Sequence, residues 1–228
     1  MTKAPGTEVR RAVDRYESGQ PGIRSWHCFS AGGHYDAANV CFGPLIGLDE
    51  HRVEPGAGFG AHAHRGVVIV SWVLEGVLRH EDGSGAVTLV EPGVVLCQVT
   101  GGGVTHAESN ASDVEPLRFL QLTLLDEAAR PAEVTLNRPP AHVRLGMVSA
   151  HGEGVLLTEG RTHLFVASGR YQVDPRATLA EGDSLRTDRP LTVEGSGQLL
   201  VCNLIPPPKP PIDLGTARTA GGWFRRRS

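Results

Sequence analysis

Between residues 40 and 205 the chain is cut by glycine and proline into short runs rich in valine and leucine. "GVVIVSWVLEG", "AVTLV", "GVVLCQVT" and "LRFLQLTL" are examples. Short apolar runs bounded by turn formers read as strands, and 29 glycines with 16 prolines supply the turns. The sequence is therefore that of an all-β protein. "HEDGSGAV" (80–87) reads as a hairpin loop, because Asp-Gly and Ser-Gly reach positive φ cheaply. Glu91-Pro92-Gly93 reads as a tight turn. Near the N-terminus, "EVRRAVDRYE" suits either a short helix or a loose strand.

The strand pattern repeats. "WVLEGVLRHEDGSGAVTLVEPGVVL" has a counterpart in "LFVASGRYQVDPRATLAEGDSL", with Gly76 answered by Gly169 and Gly93 by Gly182. The offsets are 93 and 89 residues, the mark of two β-barrels of one type. "DEAARPAEVTLNRPPAH" (126–142) is polar, contains proline and has no clean period. The expected division is an N-terminal barrel over 1–130, a C-terminal barrel over 142–205 and a tail over 206–228. That tail opens on the polyproline-like "PPPKPP".

Two histidines precede the longest apolar run: His62 and His64 in "GAHAHRG". Side chains at i and i+2 share one face of a strand. His106 and Glu108 in "VTHAES" stand at the same spacing. If both pairs face into one barrel, three imidazoles and one carboxylate converge. That donor set suits a divalent first-row ion: Fe(II), Mn, Ni, Cu or Zn, with Fe and Mn best served by mixed nitrogen and oxygen. Either pair alone is commonly an accident of composition. The joint pattern carries more weight because Gly56, Gly76 and Gly103 let the backbone turn close to it.

Net charge is −3, which gives no general attraction for nucleic acid or an anionic membrane. No apolar run approaches the length of a membrane span, and "MTKAPGTEVRR" has no hydrophobic signal core. The expected location is the cytoplasm. Cys28, Cys41, Cys97 and Cys202 make no CxxC pair and read as buried free thiols.

The spacings G-x5-H-x-H (Gly56, His62, His64) and G-x2-H-x3-N (Gly103, His106, Asn110) match the two cupin signatures. The acidic residue of the general cupin pattern is missing after His64, where Val68 and Ile69 stand. A carboxylate returns at Glu108. "AHAHRG", "WVLEG" and "VTHAES" thereby resemble the pirin family, whose usual text is H-P-H-R-G, Y-V-L-E-G and H-S/A-E. The resemblance spans roughly residues 25–205 and implies a bicupin. It also implies one metal, foremost Fe(II), held by His62, His64, His106 and Glu108.

Several pirin-like proteins cleave flavonols such as quercetin with dioxygen, and others are iron proteins associated with transcription. The resemblance thus implies either a quercetinase-type dioxygenase or a non-catalytic, redox-dependent partner of another protein. A different small-molecule cupin enzyme, such as an isomerase, is a third reading. In the first, two open positions on the ion would take dioxygen and a flavonol-like chelator, with Glu108 as the proton acceptor. Ala63 replaces the family's proline, and "GVVLCQV" (93–99) departs from its usual text, placing Val94, Leu96 and Cys97 at expected pocket positions.

The second barrel is expected to be empty, since Val155 and Leu157 stand where the first barrel has His62 and His64. His163 reads as a hydrogen-bonded structural histidine, and His142 and His151 as exposed. His27, His34, His51 and His80 have no partner at ligand spacing; His34 and Tyr35 are candidates for the pocket rim.

Overall fold

A computed structural model describes residues 6–126, 130–139, 143–148, 155–157, 161–173 and 177–204. Its strands in chain order begin with β1 (Glu8–Arg10), β2 (Tyr16–Gln20), β3 (Ile23–His27), β4 (Leu45–Val53), β5 (Gly58–His64) and β6 (Val67–Glu75). There follow β7 (Leu78–Asp82), β8 (Val87–Val90), β9 (Val95–Val99), β10 (Val104–Asn110), β11 (Leu117–Leu125) and β12 (Glu133–Leu136). The second half holds β13 (Val143–Val148), β14 (Val155–Leu157), β15 (Arg161–Val173), β16 (Ala177–Ala180), β17 (Ser184–Thr187) and β18 (Leu191–Leu204). The N-terminal stretch is both of the things its sequence allowed in part: a short strand, a 3-10 turn at Ala12–Asp14, then β2.

The first half is two sheets. A seven-stranded sheet in the order β12-β9-β6-β11-β4-β3-β2 faces a four-stranded one in the order β5-β10-β7-β8. The third sheet, β1-β17-β15-β18-β13 with β14 and β16 attached, forms the second half. The N-terminal β1 belongs to this third sheet, pairing Val9 with Leu185. β12 lies within the polar stretch 126–142 and extends the first half's large sheet by pairing with β9.

Strand β6 explains the longest apolar run. Val68, Val70, Trp72 and Leu74 point out of the first barrel into a core shared with Phe165, Ala167, Leu200, Cys202 and Leu204 of the second. Val73 points the other way, into a core with Ile23, Val53, Leu96, Leu117 and Phe119. A strand buried on both faces loses its polar alternation and reads as continuous. The second barrel has its own interior around Leu164, Val166, Tyr171 and Leu199. A buried ion pair also crosses the seam. Arg118 Nε donates to Glu50 Oε1 at 2.8 Å while its Nη2 donates to the Ala167 carbonyl at 2.7 Å, and Arg15 Nη1 holds Glu50 Oε2 at 2.7 Å.

The internal repeat is physical. Gly93 N–H donates to the Val73 carbonyl and Gly182 N–H to the Val166 carbonyl, each at 2.8 Å. Gly76 and Gly169 have φ of +73° and +85°, and a side chain on either would strike the carbonyl of Pro116 or Ser196. Both barrels therefore need glycine at the same corner for the same two reasons.

Candidate metal centre

Strands β5 and β10 pair antiparallel with His62 opposite His106 and His64 opposite Val104. This register brings His62, His64 and His106 together, with one ring nitrogen of each within 4.8 Å of the others. His62 Nε2 and His106 Nε2 are 3.0 Å apart. The His62 tautomer is set by the Gly60 carbonyl, which lies 2.7 Å from Nδ1 and can only accept. The proton of the neutral ring is on Nδ1 and a lone pair faces His106. His64 Nε2 is buried without a hydrogen-bond partner among the described residues. Burial first, then the neighbouring imidazoles, push His106 down to about 3; burial and then His62 lower His64. Converging lone pairs and an orphaned buried nitrogen are what a cation would satisfy, so the residues present fit a transition metal.

Glu108, two residues beyond His106 on β10, is buried. A bulge between His106 and Glu108 shifts the register so that Glu108 stands opposite Phe59. Its Oε1 accepts from Ser71 Oγ at 3.0 Å and its Oε2 from Gln121 Nε2 at 2.8 Å. The carboxylate is thus held by β6 and β11 and stands outside the 4.8 Å triplet of imidazoles.

Sequence reasoning missed the residues behind these groups. His80 on β7 is buried, and its Nε2 lies 3.0 Å from His106 Nδ1 and 3.4 Å from Gln98 Oε1. Ser71, Gln98 and Gln121 each interrupt an apolar run with one polar residue: "VIVSWVL", "VLCQV" and "FLQL". Lone polar residues in strands buried on both faces were the available signal, because each needs a partner inside.

Other expectations change. Cys97 faces the core shared with the second barrel, away from the site, while Leu96 joins the first barrel's interior. Val68 likewise faces the shared core, so the acidic residue of the general pattern would have no route to the metal from that position. Cys41 is exposed, whereas Cys28, Cys97 and Cys202 are buried free thiols. His163 packs on Phe29 and Phe42 with neither ring nitrogen hydrogen-bonded among the described residues, instead of being the hydrogen-bonded histidine expected. Tyr35 is exposed, and His34 stacks on Tyr16 with its Nε2 3.1 Å from the Glu17 carbonyl. His142, His151, the stretch 206–211 and the C-terminal arginines lie outside the described residues, as do the side chains of Val155 and Leu157.

An all-β pair of barrels with a histidine cluster at the β5–β10 pairing defines a bicupin fold with a candidate metal site. The pirin family model matches residues 6–124, and the chain belongs to that family. Among its relatives is a Mycobacterium tuberculosis protein provisionally named a quercetin 2,3-dioxygenase, 34% identical over 227 residues, covering 85% of this chain and 93% of that one. The quercetin 2,3-dioxygenase of Escherichia coli K12 is 33% identical over 119 residues, 52% of each chain. The bacterial pirin YhhW from Escherichia coli, solved in complex with nickel(II), superposes with a TM-score of 0.78 at 23% identity, covering 88% of this chain and 99% of that one. A quercetin 2,3-dioxygenase from Acinetobacter baumannii superposes with a TM-score of 0.70 at 18% identity over 90% and 87%. These likenesses carry the bicupin fold. No helix among the described residues is long and apolar enough to cross a membrane.

Proposed function

We propose that this protein is a quercetinase-type dioxygenase whose one metal sits in the N-terminal barrel. His62, His64 and His106 would hold the metal, and Glu108 would complete the set. The observation that carries this reading is the convergence of three imidazole nitrogens within 4.8 Å, one of them buried without a partner. Iron(II) is the metal we infer from the mixed donor set, and nickel, the ion in the YhhW complex, is the first alternative. The names of the relatives support a chelating, flavonol-like substrate and dioxygen as co-substrate. Free thiols throughout agree with a reducing cytoplasm.

A bound metal supplies Lewis acidity and one-electron chemistry toward the chelated substrate and dioxygen. The chain's own residues do the rest. Glu108 takes the proton of the substrate hydroxyl: the O–H bond breaks and the carboxylate becomes a carboxylic acid. Ser71 and Gln121 hold the carboxylate while it is charged. His80 fixes the rotation of His106 from behind. The second barrel closes the back of β6 and β11 with apolar side chains and has a supporting part.

Oxygen uptake with quercetin by iron-loaded and nickel-loaded protein tests the proposal against the metal-stripped control. Glu108→Gln should lower the rate by about a hundredfold or more, the usual worth of a positioned acid–base group. No uptake above the control across several flavonols favours a non-catalytic metal protein acting through a protein partner.

A further inference from the structure

The large sheet of the first barrel carries a row of polar residues that leads away from the metal centre. Ser71 on β6 is opposite Gln121 on β11, Gln121 opposite Asp49 on β4, Asp49 opposite His27 on β3, and His27 opposite Tyr16 on β2. Directly opposed residues of neighbouring strands share a face. All five therefore lie on the face that Ser71 and Gln121 turn toward Glu108.

At the outer end of this row, two of its side chains are hydrogen-bonded in series with Ser18 of β2. Asp49 Oδ1 lies 2.8 Å from His27 Nδ1, and His27 Nε2 lies 2.7 Å from Ser18 Oγ. A carboxylate accepts only, so the proton of the neutral ring is on Nδ1 and Nε2 carries the lone pair. Asp49 fixes this tautomer, as a carboxylate behind an imidazole commonly does. The side chain of His27 is 12% exposed and Ser18 is exposed, so the accepting nitrogen faces the rim. Beside it, Tyr16 and His34 stack with ring centroids 5.2 Å apart and an interplanar angle of 12°. Strands lie about 4.8 Å apart, which puts His27 roughly 10 Å along the sheet from Gln121. Gln121 itself touches Glu108.

We propose that His27, held by Asp49, is a recognition site for a hydroxyl on the far ring of an aromatic substrate whose near end chelates the metal. The site accepts a hydrogen bond at His27 Nε2, in the place Ser18 Oγ occupies, and the Tyr16–His34 stack flanks the ring. This proposal rests on the dioxygenase reading for its substrate class. It assigns to His27 and Asp49 a role in choosing among polyphenols, while the imidazoles of β5 and β10 choose the metal.

The test is anaerobic binding to metal-loaded protein, read by quenching of tryptophan fluorescence, for quercetin and for its analogue without the two pendant-ring hydroxyls. Wild-type protein should prefer quercetin by about tenfold, the worth of one well-placed hydrogen bond. In His27→Phe and Asp49→Asn the preference should vanish while the analogue binds as before and elemental analysis finds the metal content unchanged. Asp49→Asn keeps the shape of the site and carries the test should His27→Phe fail to fold. A preference that survives in Asp49→Asn, or none in the wild type, overturns the recognition site. Oxygen uptake separates the two proposals: a His27-dependent preference without uptake overturns the dioxygenase reading alone. Failure of the wild type to bind either flavonol overturns both.

Discussion

His80 Nε2 lies 3.0 Å from His106 Nδ1, so the most buried imidazole of the candidate metal centre is steered by a second imidazole behind it. Groups that orient a metal-binding histidine typically matter by 10–100-fold in affinity. His80→Phe should weaken metal binding by roughly that factor. His62→Ala and His106→Ala should abolish it. Competition with a chelator of known affinity measures both, and a His80→Phe protein that binds as tightly as the wild type would refute the steering role.

The seam between the barrels should be sensitive at Glu50. Burial pushes its carboxyl up, but the hydrogen bonds and charges of Arg15 and Arg118 outweigh this and hold it below the usual carboxylate range. Glu50→Ala leaves Arg118 buried beside carboxylates that are themselves half-exposed. The expected loss is about 3 kcal/mol, as for other broken buried pairs. Urea unfolding of metal-stripped protein would give the value.

Acid should weaken the fold through His51 as the pH falls below 6.5. Burial pushes this histidine down to about 4, with Asp49 partly opposing, from an ordinary value of 6.5. Between those two pH values the unfolded chain binds a proton that the folded chain refuses. Stability is full above pH 6.5 and falls as the pH drops toward 4, by on the order of 3 kcal/mol in total. Thermal melts of metal-stripped protein at pH 7 and pH 5 should show the drop, and His51→Gln should reduce it, with His106 and His64, which burial also pushes down, keeping the remainder. An equal slope in that variant would place the effect elsewhere.

The two corner glycines should fail alike. An alanine at Gly76 would put its Cβ 3.0 Å from Leu117 Cα, and one at Gly169 would put it 2.8 Å from Gly197 Cα, in each case at positive φ. Gly76→Ala and Gly169→Ala should each cost about 2 kcal/mol or more. Calorimetry that finds either substitution neutral would break the equivalence of the two barrels at this corner.

Much of this could be seen in the residues. The pair His62/His64 meets His106 because alternation along a strand is a local property, whereas Glu108 stands outside that triplet, past a register shift against β5. Gly76 and Gly169 marked the repeat because the backbone there admits no side chain. What the text hid depends on register. His80 has no neighbour at ligand spacing and meets His106 only because β7 pairs with β10. The row from Ser71 to Tyr16 draws one residue from each of five strands, and no spacing along the chain encodes it. Cys97 looked like a pocket residue because a strand buried on both faces gives no sign of which face is which.

That two-sided burial also separates what can vary from what cannot. Odd positions of β6 and β11, such as Ser71 and Gln121, address the cavity, while even positions, such as Val70, Trp72 and Leu122, address the neighbouring barrel. A lineage can therefore revise the chemistry of the cavity one alternate residue at a time and leave the joint between its halves intact. Relatives with different substrates should differ at the first set and keep bulk and greasiness at the second.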